Sequence, residues 1–205
     1  MTTLTLVRHG ETDWNLRRLI QGSTDIPLND TGRRQAQEAG ALLRTRLGPR
    51  SDDGSPVVVV SSDLSRARET AQIIAAELEA DAPRSYPQLR ERNYGDAEGV
   101  DIAAFRERWG DWDHAVVPNA EAWADVRVRA LSGLRAAIRD ARRTTFPVAP
   151  SVVVVSHGAL IREVIRHATG GEFPSPGERL ANGSAHTFLM ERDRLSLLDY
   201  AGVAV

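Results

Sequence analysis

The sequence predicts a single α/β domain: a mostly parallel sheet flanked by helices on both faces, with a helical and loop insertion over one end and a C-terminal hairpin. Three observations carry this. Val57–Val60 and Val152–Val155 are uniform β-branched runs, each passes through a short polar segment into a helix-periodic stretch, and Leu4–Arg8 is a third β-prone run near the start. Four consecutive valines suit a strand covered on both faces better than one half exposed to water. Repeated strand-to-helix units argue for parallel pairing through right-handed crossovers. At 205 residues the chain fits one domain, 1–205, with room for an insertion.

Taken in order, Leu4–Arg8 reads as a buried strand, followed by a polar loop through Gly22 and Pro27. Asn29, Asp30 or Thr31 can cap a helix to about Leu47, with Ala36, Ala39, Leu42 and Leu43 on one face. Gly48-Pro49 stops it, and Arg50 to Pro56 reads as a solvated loop. After the first valine run, Ser61-Ser62-Asp63 reads as a capping cluster for a helix from Leu64 to Leu78. Between Gly95 and Pro118 the periodicity weakens, with Trp109, Trp112 and His114 scattered among charges, and residues 95–121 read as the insertion. A long helix is expected from about Asn119 to Arg143. The second valine run ends in Ser156-His157-Gly158 before a helix from Ala159 to about Ala168, and Ala185–Met190 and Leu195–Tyr200, joined across Arg192-Asp193, form the hairpin.

Composition narrows the chemistry. The chain has no cysteine, and all 26 of its basic residues are arginine. Thiolate nucleophiles, thiolate metal sites, lysine Schiff bases and the lysine of a phosphate-binding P-loop are therefore excluded. Arginine is left as the permanent cation, and its planar fork holds phosphate bidentately. A net charge of -2 gives no basic footprint for nucleic acid or an anionic membrane. No apolar run approaches the ~20 residues of a membrane span. Met1 leads into a strand without a leader pattern, so a cytoplasmic location is expected.

Three strand-to-helix junctions bring polar residues to the same sheet edge: Arg8-His9-Gly10, Ser61 to Ala67, and Ser156-His157-Gly158. Ligands of open parallel sheets bind outside the carboxyl ends of the strands. Arg-His alone carries little information, and an exposed loop histidine beside a surface arginine is its alternative. The convergence of three junctions raises the case for a site. Arg66 falls in the first turn of its helix, where the positive dipole end favours an anion; a solvated helix arginine is the alternative.

At this point the chain resembles the histidine phosphatase superfamily, the phosphoglycerate mutase-like proteins. The resemblance rests on Leu6 to Thr12 with Trp14-Asn15, on Gln21-Gly22 and Pro27-Leu28, and on Ser61 to Ala67 with Thr70-Ala71. It continues through Leu89-Arg90-Glu91, Tyr94-Gly95 and Glu98-Gly99 to Val155 to Gly158, in the family's order over nearly the whole chain. It implies that His9 is a nucleophile whose neutral imidazole attacks phosphorus, giving a phosphohistidine that water hydrolyses. Arg8, Arg66 and His157 would surround the phosphoryl oxygens, with Asn15, Gln21, Gly22 and backbone amides near Gly10 and Gly158 assisting. Glu91 matches the family's acid/base glutamate; repulsion from a dianionic phosphate and desolvation would leave its carboxyl with a proton to donate. A salt-bridge partner for Arg90 or Arg92 is the other reading of Glu91. Tyr94 belongs to the expected pocket, as does Glu121, because Pro118 to Ala122 is similar to the family's Pro-x-Gly-Glu-Ser segment with alanine replacing both glycine and serine. No metal and no cofactor are implied, since cations and amides already hold the phosphate.

Departures from the pattern favour a phosphatase over a mutase. Ile102 stands where the mutase pattern has lysine, and the insertion lacks that group's paired arginines; Arg142-Arg143 falls at the end of the long helix. Phosphoryl transfer of the mutase type and non-catalytic phospholigand binding are the rival functions. Arg90, Arg92, Arg106, Arg108 and Arg127 could read a second anion, with a solvated charged face as the alternative. Asp96, Glu98, Asp101, Asp111 and Asp113 crowd the insertion and disfavour a highly anionic leaving group. The expected substrate is a small phosphomonoester: a sugar phosphate, a phosphorylated glycoside or a cofactor precursor. His114 is a weaker candidate for substrate contact, and Trp109 and Trp112 are expected to anchor the insertion. Dimers occur in the family the chain resembles, which makes a homodimer the assembly to test.

Overall fold

The computed structural model describes residues 1–48, 54–112, 114–175, 177–192, 194–200 and 203–204. Its strands are β1 (Thr2–Arg8), β2 (Val57–Ser61), β3 (Arg84–Ser85), β4 (Ser151–Ser156), β5 (Ala185–Met190), β6 (Leu195–Tyr200) and β7 (Val203–Ala204). The helices are α1 (Asp13–Leu16), α2 (Asp30–Leu47), α3 (Ser65–Glu77), α4 (Ile102–Trp109), α5 (Trp123–Thr145) and α6 (Gly158–Ala168). One sheet holds all the strands in the order β3-β2-β4-β1-β5-β6-β7. β3, β2, β4 and β1 pair in parallel, and β5, β6 and β7 extend the sheet antiparallel.

Val152–Val155 are buried on both faces, as are Val59 and Val60, while Val57 and Val58 are half-buried at the start of β2. Val152 and Val154 join Leu4 and Leu6 in a core with Leu134 and Ile138 of α5 and Ile161 and Val164 of α6. Val153 and Val155 join Val7 and Val59 in the opposite core with Ala39 and Leu43 of α2 and Ala71 and Ile74 of α3. Alternation along each strand thus feeds two apolar layers.

Where sequence and structure differ, tertiary partners decide. α5 begins at Trp123 instead of about Asn119 because the preceding backbone is engaged by the insertion. Asp96 N donates to Pro118 O at 3.1 Å and Glu121 N donates to Asn93 O at 2.9 Å, while Asn119 sits at φ +60°. The expected cap of α3 also moves: its N-cap is Leu64, without a side-chain cap bond, and Asp63 is taken by Arg90 at 2.7 Å. Asp25 supplies the acceptor, receiving Ser65 N at 2.8 Å and Ser65 Oγ at 2.7 Å. Leu42 is exposed, and Gly40 instead lies against α3, where a Cβ would meet the Glu77 side chain at 2.8 Å. α1, β3 and β7 are elements the sequence pattern did not reveal. Pro49, the loop from Arg50 to Asp53, Asp113 and the hairpin's Asp193 lie outside the described residues.

The sheet order sets the site. β1 and β4 are neighbours with Arg8 opposite Ser156, and His9 N donates to Ser156 O at 3.0 Å, so the two histidine-bearing strand tips stand side by side. The start of α2 packs directly on the chain after His9: a Cβ on Gly10 would lie 2.2 Å from Gly32 O. The insertion folds around its own small core of Ile20, Tyr94, Ala97, Phe105 and Val117, with Trp109 and Trp112 against it.

Candidate active site

His9 lies at the end of β1, buried, with Nδ1 2.7 Å from Gly10 O. A carbonyl only accepts, so Nδ1 carries the proton and the lone pair belongs to Nε2. Burial, Arg66 and Arg8 hold its pKa well below the ordinary imidazole value, which keeps the ring neutral. Its backbone is fixed separately: Asn182 Nδ2 donates to His9 O at 2.9 Å and reaches Asn15 Oδ1 at 3.3 Å. The His157 ring meets that of His9 edge-on, with centroids 5.1 Å apart. Gly10 corrects an expectation: its N–H donates to Thr70 Oγ1 at 3.1 Å, so it braces α3 and is not among the residues lining the cavity.

Arg66 is buried at the start of α3. Its Nη1 donates to Thr24 O and its Nη2 to Gly22 O, both at 2.8 Å. Burial lowers its pKa to about 10, still a cation at neutral pH. Arg8 donates through Nη1 to Leu180 O. His157 occupies the N-cap position of α6, and burial, Arg66 and His9 hold its pKa well below the ordinary value. Among the described residues, the buried side-chain polar atoms without a partner are Arg8 Nε, Arg66 Nε, Gln21 Oε1 and both ring nitrogens of His157. Such orphans are costly. Their confinement to the expected site residues marks where a polar ligand would compensate them.

Glu91 follows a 3-10 turn at Pro87–Leu89 and places its carboxylate over the start of α6. Oε2 accepts from Ala159 N at 3.0 Å, and Oε1 accepts from Leu160 N at 3.1 Å and Arg92 N at 2.9 Å. Arg129 clamps this segment by donating to Gln88 O, Arg90 O and Glu91 O at 2.9, 2.6 and 2.9 Å. The same guanidinium binds both oxygens of Glu121, at 2.6 and 2.9 Å. Glu121 is therefore corrected from a pocket residue to a support: it does not line the cavity, and it holds the arginine that holds Glu91. The guanidinium of Arg92 stacks on Tyr94 at 4.8 Å and on Trp123 at 4.2 Å.

Glu98 organises the loop before α2. It accepts from Ser23 N, Ser23 Oγ, Thr24 N, Thr24 Oγ1 and Tyr94 N, at 2.5 to 3.1 Å. Burial works against its charge, but these bonds hold its pKa below the usual carboxylate value. Gly22, at φ +57°, lets the loop lie on that carboxylate; a Cβ there would be 2.0 Å from Glu98 Oε1. The acid read from the sequence as part of a charge crowd thus shapes the carbonyls that grip Arg66.

These parts surround a cavity of about 610 Å³ that Arg8, His9, Asn15, Gln21, Gly22, Arg66, Glu91, Tyr94 and Gly158 all line. His157 reaches the site through its ring contact with His9. Ile102, Arg106, Asp111 and Trp112 bring the insertion into the wall. Of the five arginines considered for a second anion, Arg106 alone lines it. Arg90 pairs with Asp63, Arg127 with Glu163, Arg92 is stacked, and Arg108 lies over Trp109. His114 is exposed and away from the lining. Sequence reading missed Arg18, Arg162, Arg179 and Asn182. Arg162 had a signal, standing four residues after Gly158 on the same helical face. Asn182 had another, because residues just before a strand that pairs antiparallel with β1 fall beside the tip of β1.

A strand-tip histidine with an open lone pair, flanked by buried arginines at the edge of an α/β sheet, defines a protein built to handle a phosphoryl group. The sequence pattern of the histidine phosphatase superfamily (branch 1) matches residues 4–201, and the chain belongs to that superfamily. It is 36% identical over 200 residues to an uncharacterised phosphatase, PhoE, of Bacillus subtilis (strain 168), covering 98% of this chain and 94% of that protein. Its fold matches a mycobacterial glucosyl-3-phosphoglycerate phosphatase complexed with VO3, with TM-score 0.78 and 26% identity over 100% of both chains. It also matches a phosphoserine phosphatase mutant from Entamoeba histolytica in complex with phosphoserine, with TM-score 0.74, 26% identity, and 98% and 97% of the two chains covered. The protein is a phosphatase. Among its described residues no helix is long and apolar enough to cross a membrane.

Proposed function

We propose that this phosphatase hydrolyses a small phosphorylated metabolite, of the sugar phosphate, phosphorylated glycoside or cofactor-precursor kind, through a phosphohistidine on His9 and without a metal ion. The observation that carries the reading is the Nδ1 bond of His9 to Gly10 O, which leaves Nε2 as a neutral nucleophile in a cavity shared with Arg8 and Arg66. The Nε2 lone pair attacks phosphorus as the bond to the leaving oxygen breaks, and Glu91 donates the proton that oxygen needs. In the second step the Glu91 carboxylate takes a proton from water, the oxygen attacks phosphorus, and the P–N bond breaks to free phosphate and neutral His9. The guanidinium charges of Arg8 and Arg66 offset the charge on the equatorial oxygens, the work a divalent cation does elsewhere.

Rapid quenching during turnover should trap a phosphoenzyme that is labile in acid and stable in alkali, and turnover should be indifferent to chelators. A phosphoenzyme with the opposite stability, or activity abolished by a chelator and restored by a metal, would remove the mechanism. Net phosphate release in the presence of acceptor alcohols separates hydrolysis from transfer between hydroxyls. Glu91→Gln should slow a sugar phosphate by about 10²- to 10³-fold and an aryl phosphate, whose leaving group needs no proton, far less. Equal losses on both esters would take the acid role from Glu91.

A further inference from the structure

Four further arginines from four separate segments line the cavity with Arg8 and Arg66: Arg18 after α1, Arg106 on α4, Arg162 on α6 and Arg179 before β5. None has an ion-pair partner among the described residues. Elsewhere the protein pairs its arginines freely, as with Arg33, Arg44, Arg84, Arg90, Arg127 and Arg129. The acids of this region are already engaged. Asp101 caps α4 through Ala103 N and Ala104 N, Asp111 accepts from Trp112 N, and Glu178 accepts from Tyr200 Oη at 2.5 Å and Ser175 N at 3.0 Å. A neighbouring depression of about 440 Å³ shares Arg18, Arg106 and Arg179 with the main cavity, so the three flank a continuous opening.

Cations outnumber acids on this lining: Glu178 attracts Arg162, while Arg18, Arg106 and Arg179 have no ion-pair partner among the described residues. Burial disfavours the charge on Arg8, Glu91 favours it, and Arg179 and Arg162 disfavour it again, which places both within reach of the phosphoryl end. Like charges gathered around one cavity repel one another and focus a field that an anion would relieve. Of the acids expected from the sequence to repel an anionic leaving group, Asp101 and Asp111 accept from backbone donors, Asp96 accepts from Asn119 Nδ2, and Glu98 is taken by Ser23 and Thr24.

We infer that Arg18, Arg106, Arg162 and Arg179 form a second anion subsite, and that the preferred substrate is a phosphomonoester whose leaving group carries a further negative charge, a carboxylate or a second phosphate. This rests on the hydrolytic reading of His9 and narrows its substrate class. Arginine suits either group because its fork bonds both bidentately.

The test compares a hexose monophosphate with the corresponding phosphorylated aldonate and with a hexose bisphosphate. In the wild type, kcat/KM for at least one of the two anionic partners should exceed that for the neutral one by about tenfold, the worth of a charge-assisted contact. Preference for the aldonate assigns a carboxylate, and preference for the bisphosphate assigns a phosphate. In Arg106→Ala and Arg179→Ala the ratio of anionic to neutral kcat/KM should fall about fivefold or more, and added salt should compress it further. Arg108→Ala, on the same helix but stacked outside the cavity, should leave the ratio unchanged. No preference in the wild type, or a ratio unmoved in the Arg106→Ala/Arg179→Ala double variant, overturns the subsite. Titrating His9→Ala with the same esters separates the two readings. Charge-selective binding without phosphate release by the wild type keeps the subsite and removes the mechanism; release without charge preference does the reverse.

Discussion

Alanine in place of His9 should lower kcat by on the order of 10⁵-fold, the scale seen when a covalent nucleophile is removed. The loss should come without unfolding. The His9 backbone is held by Ser156 O and Asn182 Nδ2, bonds that do not involve the ring, and Gly10 N stays on Thr70. The buried ring's Nε2 is unused by the fold, but its deletion takes the Nδ1 donor from Gly10 O, so the variant should lose about 1–3 kcal/mol of stability and remain folded. Phosphate binding should persist, because Arg8 and Arg66 remain. The pH dependence follows from the direction of the shift. His9 has its pKa depressed, so as pH falls through the ordinary imidazole range near ~6.5 the ring stays neutral and nucleophilic. The acid limb of wild-type kcat/KM should therefore first report the substrate phosphate, with its second pKa of about 6, and the histidine only at lower pH. An alanine variant within about a hundredfold of wild-type kcat would exclude His9 as nucleophile.

The strands and the phosphoryl end of the site were readable because their signals are local. Val57–Val60 and Val152–Val155 are strands wherever they are placed, since only a doubly covered position rewards four β-branched residues. His9, Arg66 and His157 each sit within two residues of a strand or helix end, so topology alone brings them together. What could not be read depends on partners distant in sequence. Glu121 looks like a pocket carboxylate until Arg129, eight residues on, takes both of its oxygens. Ser61-Ser62-Asp63 looks like a helix cap, but Arg90 removes Asp63 and Asp25, 40 residues before Ser65, replaces it. Leu42 fits the apolar stripe of α2, yet the stripe narrows to glycine and alanine where α3 approaches. The further arginines of the cavity were the least legible. In a chain whose every basic residue is arginine, a free one differs from a paired one only by where the acids fold.

Lysine in place of Arg66 should lower kcat/KM by about 10³-fold, at the low end of what a transition-state arginine contributes to phosphoryl transfer. Charge is conserved in this change, so the loss would measure geometry. One N–H of each terminal nitrogen is committed, to Thr24 O and to Gly22 O, and Nε–H is buried without a partner. An ammonium is a compact point charge on a flexible stem and cannot bond two loop carbonyls while presenting a third donor in the same plane. One or both carbonyls would be left buried without a donor, costing about 1–3 kcal/mol each. The loop that carries Gln21 would then keep its bonds to Glu98 through Ser23 and Thr24, to the 99–100 segment through Ile20, and to Ser65 through Asp25, but lose its tie to α3 through Arg66. A fall in melting temperature should therefore accompany the kinetic loss, of about 2–4 °C per kcal/mol for a chain of this size. If kcat/KM for the lysine variant stayed within about tenfold of wild type, a point charge would suffice there. The coupling of Glu98, the Gly22 turn and Arg66 would then be structural only.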